Sequence, residues 1–512
     1  MKYSIAFLFT VIGFQSQISA QIVPLRQPIN TSLTDDFNPN VSGNGKTMIY
    51  EVVYRNTNKA DVMITNQING SWSQPTVVAG VNTQIEALTN GGYFINHAGN
   101  IILFHSNRRG GVGGTDIWYV EKNESGAWSA PASFGKPIND IGNEIDPSLS
   151  PDGKFLFFTI LSEKKTLGGL PCGKIMMSER ISTTTWKAPV ELPAPINGGC
   201  ECGGKLLSDN KTFLFSSVRA GGQGGYDFYK STRSDDGVFS YPVNYTFINT
   251  PKDDKYLSVA AGGSMLYTSA PGKGKDERDI VLAKIPTDMQ PEMVKLYQGK
   301  VTNMDTKAIL AAQINVTHIK SGYTITYRTA ADGSFSIPVL ASDDYDIGVF
   351  AAAPGFEYVS FIDSTSKPIR YQEKNTSFSL SPLHKGSKIL LSNINLHENM
   401  DVDKVGELEL ARAKLLIRLN PTFHYEILAY TNSIVVDSVR HSTLDIETTP
   451  TVTSADSTAG ASIMYSNDHT QAEANVLYDY FIKNGIHADK ISFKGMGLHE
   501  GNTKKIYVLL VK

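Results

Sequence analysis

A turn followed by an apolar strand recurs along the first half of this 512-residue chain and constrains the fold more than any other feature. The clearest copy runs from Asp146 to Phe158 and reads DPSLSPDGKFLFF. Its Ser-Pro-Asp-Gly segment favours a tight turn, and the apolar run after it predicts a buried strand. The copies begin at Ser42, Asn96, Ser150, Ser208 and Ala261. Their spacing of about 54 residues is typical of propellers and solenoids.

Two further sequence features recur with the same spacing as the turn. An aromatic residue followed three positions later by Pro occurs at Trp72, Trp128, Trp186 and Phe239. A strand position is occupied by Asp61, Asp116, Asp227 and Asp279, twice after a glycine-rich loop, whereas the third copy has Lys174. Each repeat therefore offers about four short strands, which is the content of one propeller blade. We predict a β-propeller of about five blades over residues 33–293.

The repeated residues have a structural explanation. Apolar side chains at corresponding places in each blade are expected to pack between neighbouring sheets. The repeated Asp is expected to cap a turn by accepting hydrogen bonds from backbone N–H groups.

Composition and charge exclude some classes of partner. Hydrophobic residues make up 41% of the chain and charged residues 19%, which is typical of a globular protein. The formal net charge of −3 gives no basic surface for nucleic acid or for an anionic membrane.

The N-terminus has the pattern of a secretory signal over residues 1–20. Lys2 precedes an apolar run from Ile5 to Phe14, and the small residues Ser19 and Ala20 follow. We expect cleavage near Ala20, and no later apolar run reaches the length of about 18 residues needed to span a bilayer. The mature protein is therefore expected to be exported.

The chain has three cysteines: Cys172, Cys200 and Cys202. In an oxidising compartment, a disulfide from Cys172 to either Cys200 or Cys202 would leave one thiol over. Free thiols and a three-thiolate metal site are the alternatives, although no His stands beside them and no paired C-x-x-C is present.

The pattern changes after the repeats. Residues 297–381 read as alternating strands joined by turns, with Asp332-Gly333 as a hairpin signal, and predict a small β-sandwich. Residues 386–512 mix strands with two helices and predict a compact α/β domain. The first helix places Val405, Leu408, Ala411, Leu415 and Leu419 at helical spacing. The second places Ala474, Leu477, Tyr478 and Phe481 on one face and ends at Gly485.

Three family resemblances follow from these motifs. The SPDGKFLFF repeat, with Asp146-Pro147-Ser148 before it, resembles the PD40 or WD40-like repeat of TolB-type propellers, which serve mostly as interaction platforms. Residues 297–381 resemble the carboxypeptidase regulatory-like domain, which has a transthyretin-like sandwich fold. The matching residues are Gly299, Val301, Ala311 to Val316, Asp332, Gly333, Phe335, Ala353, Gly355 and Phe356.

The end of the chain resembles the OmpA-like domain, through Asn393-Ile394, the Asn420-Pro421 helix stop and YDYFIKNGIHADKISFKGMG. In that family an Asp and an Arg bind the ammonium and carboxylate groups at the zwitterionic end of the peptidoglycan stem peptide. Here Asn432 stands at the Asp position and Glu473 at the Arg position. The resemblance therefore implies an OmpA-like fold with weak peptidoglycan contact.

No linear catalytic motif is present. The chain lacks G-x-S-x-G, H-E-x-x-H, a P-loop and a strand-associated G-x-G-x-x-G. The sequence therefore leads us to expect a protein that is not an enzyme and has no cofactor. The domain order resembles that of Bacteroidetes OmpA-family periplasmic proteins, including the propeller component of type IX secretion, without its TPR region.

The leading hypothesis from the sequence is thus a periplasmic scaffold at the outer membrane or cell wall, with the propeller docking an envelope protein. Two alternatives stay open: a peptidoglycan anchor that uses substitute residues, and a glycan-binding or glycan-processing propeller. The last requires carboxylates that converge at one mouth of the channel.

Overall fold

The computed structural model describes residues 22–57, 60–82, 90–123, 125–166, 169, 171–182, 184–271, 278–365, 369–392, 394, 396, 402–431, 457–498 and 505–512. For residue 90 and residues 457–467 only the backbone is described. The predicted signal segment, residues 1–20, lies outside the described residues.

Five antiparallel sheets of four or five strands form the first part of the described chain. The first strand of the chain is β1 (Ile22–Pro24). Blade 1 contains β2 (Thr34–Val41), β3 (Thr47–Tyr54), β4 (Ala60–Ile68), β5 (Ser71–Trp72) and β6 (Thr76–Val77). Blade 2 contains β7 (Asn90–Ile95), β8 (Ile101–Ser106), β9 (Asp116–Glu121) and β10 (Ala132–Ser133). Blade 3 contains β11 (Glu144–Leu149), β12 (Phe155–Lys165), β13 (Pro171–Glu179) and β14 (Val190–Glu191). Blade 4 contains β15 (Glu201–Leu206), β16 (Thr212–Ser217), β17 (Asp227–Thr232) and β18 (Val243–Asn244). Blade 5 contains β19 (Ser258–Val259), β20 (Met265–Pro271), β21 (Arg278–Lys284) and β1.

The first strand of each blade lies on the axis of a ring. The strands β2, β7, β11 and β15 contact one another in turn, and β19 contacts β2. Between the fourth and fifth blades, Lys205 of β15 donates to the Leu257 carbonyl, directly before β19. The later strands of each blade lie progressively outward. The described chain is mainly β, and its first part is the five-bladed propeller that the repeat predicts.

The ring is closed by the N-terminus. Strand β1 pairs antiparallel with β21, with Val23 opposite Leu282, and so supplies the outer strand of the last blade. The predicted boundary at residue 33 was therefore wrong by one strand. The short segment of residues 22–24 lacks the repeat markers, so only its pairing across the closed ring shows where it belongs.

A repeated Asn ties each blade to the segment that leads into the next blade. Its amide oxygen accepts from a backbone N–H in the third strand, and its amide nitrogen donates to the carbonyl of the same residue. For Asn139 these bonds to Ile117 are 2.8 and 3.0 Å long. The five equivalents are Asn30, Asn82, Asn139, Asn197 and Asn249. Sequence reasoning missed this marker, although all five of these Asn residues directly follow an Ile or Val.

The repeated aromatic residues pack between neighbouring blades, as predicted. The ring centroids of Phe157 in blade 3 and Phe213 in blade 4 lie 5.1 Å apart, and both side chains are fully buried. The repeated Asp caps the glycine loop, also as predicted. The Asp227 carboxylate accepts from the N–H groups of Gln223 and Gly224 at 2.9 and 3.1 Å, and Asp116 has equivalent partners.

The second unit contains two four-stranded sheets that share one apolar core. After a 3-10 turn at Thr287–Met289, its strands are β22 (Val294–Asn303), β23 (Ala312–His318), β24 (Thr324–Arg328), β25 (Ser334–Leu340), β26 (Tyr345–Ala351), β27 (Val359–Asp363), β28 (Gln372–Asn375) and β29 (Phe378–Leu380). One sheet has the order β24-β23-β26-β27, and the other joins β25, β22, β28 and β29. The unit begins at residue 294, three residues before the predicted boundary.

The third unit is a mixed sheet with two helices. Its elements are β30 (Lys388–Leu390), α1 (Lys404–Leu419), β31 (Tyr425–Thr431), α2 (Ser457–Lys483), a 3-10 turn at Ala488–Lys490, β32 (Ile491–Leu498) and β33 (Lys505–Leu510). The strand order is β30-β33-β31-β32, with β31 and β32 parallel. Within the described ranges, no helix is both long and apolar enough to cross a membrane.

Helix α1 was predicted correctly, but its buried face was not. The side chains of Leu410, Ala413, Leu416 and Ile417 are buried, whereas the predicted Ala411 is exposed. The helix packs on two partners, the sheet of its own unit and the Phe350–Tyr358 region of the second unit, so its buried face is wider than a single stripe. Of the predicted face of α2, Ala474, Leu477 and Phe481 are fully buried, and Tyr478 is partly buried against the same core.

A buried ionic network joins the second and third units. Arg412 on α1 forms ion pairs with Asp346 on β26 and with Glu409, the latter at 2.8 Å. Tyr358 donates from its hydroxyl to Glu409 at 2.7 Å. Because these side chains are at least nine-tenths buried, their charges depend on one another for compensation.

Candidate functional site

The candidate site lies on the propeller axis, where each blade has a residue with a left-handed backbone on its inner strand or just before it. The five residues, with φ between +51° and +65°, are Asn38, Gly92, Asp146, Gly203 and Tyr256. In the first four blades this residue sits at a shift of the strand register, which is a β-bulge. Non-glycine residues in this backbone region are strained, and such strain concentrates at functional sites.

Three of the five positions bear a side chain, and they differ in chemistry: an amide, a carboxyl and a phenol. We call the side chains of Glu51, His105, Asp146, Lys255 and Tyr256 the axial cluster. They come from four different blades, so only ring closure brings them together.

Asp146 is the centre of the axial cluster. It is 6% exposed, and its carboxylate oxygen Oδ1 has no hydrogen-bond partner among the described residues. The Tyr256 hydroxyl hydrogen-bonds to the carboxylate. The backbone N–H of Asp146 donates to Nδ1 of His105 at 3.2 Å. That ring nitrogen is therefore an acceptor, and His105 is the neutral tautomer with its proton on Nε2.

Burial shifts the protonation equilibria of the cluster. Burial raises the pKa of Asp146 to about 6, although Lys255, Lys205 and the hydrogen bond from Tyr256 act in the opposite direction. Burial raises the pKa of Glu51 to about 7, with a smaller contribution from the negative charge of Asp146. Burial also lowers the pKa of His105 to about 4. At neutral pH the site therefore combines an ionised Asp146, a partly protonated Glu51 and a neutral His105.

Two lysines balance the carboxylates. Burial lowers the pKa of Lys205 to about 8, against the attraction of Asp146, and its Nζ donates to the Leu257 carbonyl at 3.0 Å. Lys255 lies over the Tyr226 ring, with Nζ 4.0 Å from the centroid. The site therefore carries both signs of charge in a partly desolvated channel.

The channel is closed at the end that faces the second unit. The ring of His97 lies there, with Nδ1 3.0 Å from Oγ of Ser336 in β25 and Nε2 2.9 Å from Oγ of Ser208. A cavity of about 40 Å³ is lined by the His97 ring and by Lys205. On the other side, Glu51, Lys255 and Tyr256 remain partly exposed, and the space beside the Gly203 Cα is open. A ligand would therefore enter the axial cluster from the end opposite the second unit.

Other buried carboxylates on the inner strands have structural partners. Glu201, for example, pairs with Arg219 at 3.2 Å and accepts from the Ser217 hydroxyl at 2.9 Å. Asp36 and Glu144 accept from backbone N–H groups of the segments that lead into their blades, and so does the partly buried Asp254 before β19. These carboxylates hold loops in place, which distinguishes them from Asp146.

The predicted site residues lie elsewhere. Glu473 is buried on α2, and its Oε1 lies 3.1 Å from Nε2 of His469 one turn earlier. Asn432 lies outside the described residues, directly after β31.

The cysteines form one disulfide. Cys172 on β13 is bonded to Cys200, which directly precedes β15, so the bond joins blades 3 and 4. Cys202 is a free, buried thiol, and burial raises its pKa to about 12. Since the disulfide takes two of the three thiols, the alternative of a three-thiolate metal site does not apply.

Sequence reasoning missed the axial cluster. In the sequence, Asp146 is recognisable only as part of the repeat, and Glu51, His105, Lys255 and Tyr256 belong to no motif. A signal does exist: the bulge position lies four or five residues before each turn copy, and its chemistry changes from blade to blade. A position that breaks an otherwise regular repeat is free to serve a function.

Comparisons with known proteins show no family to which this chain belongs. No family model matches the sequence, and no curated protein matches it. Among solved structures, the catalytic domain of a Coprinopsis cinerea GH62 α-L-arabinofuranosidase is 13% identical, covers 51% of this chain and 95% of its own, and has a TM-score of 0.33. Bacteroides ovatus Xyloglucan PUL GH43B is 13% identical, covers 68% and 92%, and has a TM-score of 0.33. Kuenenia stuttgartiensis hydrazine synthase is 11% identical, covers 66% and 62%, and has a TM-score of 0.28.

These comparisons contradict the expectation that the protein is not an enzyme, because several of the matching structures are glycoside hydrolases. The expectation rested on the absence of linear motifs. Linear motifs detect catalytic groups that are close in sequence, whereas the axial cluster assembles groups from residue 51 to residue 256. At TM-scores this low, the likeness itself assigns no reaction to this chain.

Proposed function

We propose that the propeller binds a glycan at the axial cluster and acts on it there. One observation carries this proposal: Glu51 and Asp146, from different blades, interact electrostatically in a channel that is closed at one end, and the pKa of each is raised. A raised pKa in a cleft, with specific partners, is the usual property of acid and base groups. Glycoside hydrolysis is the activity of the similar solved structures, not a property shown for this chain. It serves here only to choose the substrates to test.

The chemistry of the cluster fits glycoside cleavage. Such cleavage needs one carboxylic acid that protonates the leaving oxygen and one carboxylate that acts on the opposite face of the sugar. Glu51, with a pKa of about 7, retains a proton near neutral pH, whereas Asp146, with a pKa of about 6, is ionised. Tyr256 and Lys255 would orient hydroxyl groups of the sugar. We therefore assign Glu51 as the acid and Asp146 as the carboxylate.

The test uses the full-length mature protein on arabinan, xylan, xyloglucan and peptidoglycan glycan strands. Reducing-end release measures cleavage, and calorimetry measures binding. We expect E51Q and D146N each to lower cleavage by at least about 100-fold, the scale of a general acid or base. The matched control is E191Q, which removes an exposed carboxylate that pairs with Lys174 at 2.6 Å on blade 3. Binding without cleavage would reduce the role to glycan binding, and full activity in both variants would refute the site.

We also propose that the protein works in the cell envelope, and that residues 294–380 and 388–512 are a carboxypeptidase regulatory-like domain and an OmpA-like domain. The disulfide supports export, because such bonds persist in oxidising compartments. The mixed sheet of the third unit with its two helices supports the OmpA-like assignment. Envelope fractionation tests the location. Retention of the full-length protein on peptidoglycan sacculi should be weak, since Glu473 replaces a cation; strong retention would contradict this interpretation.

A further inference from the structure

A second site lies between the propeller and the second unit, away from the axial cluster. It is a cleft of about 480 Å³, a size typical of ligand sites. One wall is the Ser150–Lys154 turn of blade 3 together with Lys122 of blade 2 and Arg180 of blade 3. The opposite wall is strand β24 and the loop that follows it. The Asp152-Gly153 pair in the repeat turn of blade 3 therefore faces the second unit.

Strand β24 is the edge of its sheet. Its inner side pairs with β23, and the bonds from Thr329 N–H to the Ala312 carbonyl and from His318 N–H to the Tyr323 carbonyl fix the alternation. The odd-numbered residues 323 to 329 consequently point their backbone groups toward β23. The backbone groups of Thr324, Thr326 and Arg328 point outward, where no described strand pairs with them. Such an edge is a template for an added strand.

The cleft also has an excess of positive charge. Its charged lining residues are Lys122, Lys154, Arg180, Arg328, Glu121 and Asp152, four cations and two anions. Arg180 is held in place, since its Nε donates to the Gly153 carbonyl at 2.9 Å and its guanidinium lies 4.5 Å from the Trp186 ring centroid. Burial and the positive charge of Arg328 across the cleft both lower the pKa of Arg180. Two guanidinium groups that repel each other across a cleft favour an anion between them.

We propose that this cleft binds an extended acidic peptide segment of a protein partner, which adds as a strand to the outer edge of β24. The backbone of the segment pairs with Thr324, Thr326 and Arg328. Its carboxylates face Arg180 and Arg328. The proposal is independent of glycan binding on the axis, because the two sites share no residue.

The probe is a fluorescein-labelled peptide of eight residues that alternates threonine and glutamate, with glutamine and lysine versions of the same length. Fluorescence anisotropy with the full-length mature protein measures affinity. We expect the glutamate peptide to bind at least about ten times more tightly than the glutamine peptide, and its affinity to fall with added salt. The lysine peptide should not bind.

Two variants test the two halves of the proposal. Thr326→Pro removes an outward N–H without breaking the bonds to β23, and Arg328→Glu reverses a charge; each should weaken binding about ten-fold or more. Lys385→Glu, an exposed charge reversal outside the cleft, is the matched control and should have no effect. If Thr326→Pro fails to fold, Arg328→Glu still decides the charge component, because Arg328 is exposed.

Three results would overturn the proposal: equal binding of the glutamate and glutamine peptides, no binding of any peptide, or an unchanged affinity in both variants. Tighter binding of polygalacturonate than of the peptide, with sensitivity to Arg328→Glu but not to Thr326→Pro, would assign the cleft to an acidic glycan instead. D146N should leave peptide binding unchanged, so failure of the axial site and failure of the cleft remain distinguishable.

Discussion

Replacing Asp146 by Asn should stabilise the propeller at neutral and alkaline pH while it removes the activity of the axial site. Asn has nearly the same shape as Asp and tolerates the left-handed backbone at φ +51° equally well. The substitution therefore removes the charge without adding backbone strain. It keeps an acceptor for the Tyr256 hydroxyl.

The magnitude follows from the raised pKa. The carboxyl of Asp146 has a pKa of about 6 in the folded state. In an unfolded chain the value is about 3.9, so the folded state binds the proton more tightly, and ionisation above pH 6 costs about 3 kcal/mol of folding free energy. Stability from this group is thus present below pH 4 and is lost as the pH rises through 6. Because Asp146 also stabilises the ammonium of Lys205, about 3 kcal/mol is the upper limit for the gain in D146N.

Tryptophan fluorescence during urea unfolding measures the stability of the propeller, the part of the molecule that contains Asp146. All four Trp residues lie in the propeller, at positions 72, 118, 128 and 186. We expect D146N to raise the free energy of unfolding by about 1–3 kcal/mol at pH 8, and the gain to disappear toward pH 4. The matched control is Asp305→Asn, an exposed turn residue in the second unit, which should change nothing at either pH.

Two results would refute the reasoning. A loss of stability in D146N at pH 8 would mean that the ionised carboxylate is a net stabilising partner of the two lysines. An equal gain at pH 4 and pH 8 would mean that the benefit comes from packing or backbone conformation and not from the charge.

Two other predictions concern the remaining fold. Replacing Cys172 and Cys200 together by Ser should lower stability by about 3–4 kcal/mol in urea unfolding, because the disulfide closes a loop of 28 residues in the unfolded chain. Replacing Arg412 by Ala should cost about 3–5 kcal/mol in thermal or chemical unfolding, because it leaves the buried carboxylates of Asp346 and Glu409 without their cation.

Each of these has a control within the chain. Cys202→Ser changes a buried thiol without opening the loop, so it should cost clearly less than the loss of the disulfide; an equal cost would contradict the loop-closure explanation. Arg418→Ala removes an exposed cation from the same helix as Arg412 and should cost less than about 1 kcal/mol. A similar cost at both positions would mean that helix propensity, and not charge burial, determines the effect of Arg412.

The local elements were predictable because their signals are local. The period of about 54 residues specified the blades, since each copy carries its own turn and its own buried strand. Helix α2 and its stop at Gly485 followed from the spacing of Ala474, Leu477 and Phe481. The structural role of Asp116 and Asp227 followed from the glycine loops beside them.

The errors arose where an element has a distant partner. The strand at residues 22–24 could not be recognised, because it is defined only by pairing with β21 at the far end of the propeller. The face of α1 was wrong because the helix packs on a second unit as well as on its own sheet. The absence of linear motifs does not show an absence of catalysis, because a ring of blades can assemble a site without any motif.

The sequence by itself determined the repeat, the turns and the buried strands, because these depend on interactions between residues that are close along the chain. The tertiary structure decided which polar residues meet. Glu51, His105, Asp146 and Tyr256 are spread over about two hundred residues, and only closure of the five blades brings them to one axis, where burial changes their pKa values. The same holds for the cleft, because the cations of blade 3 and the outer edge of β24 face each other only in the folded structure.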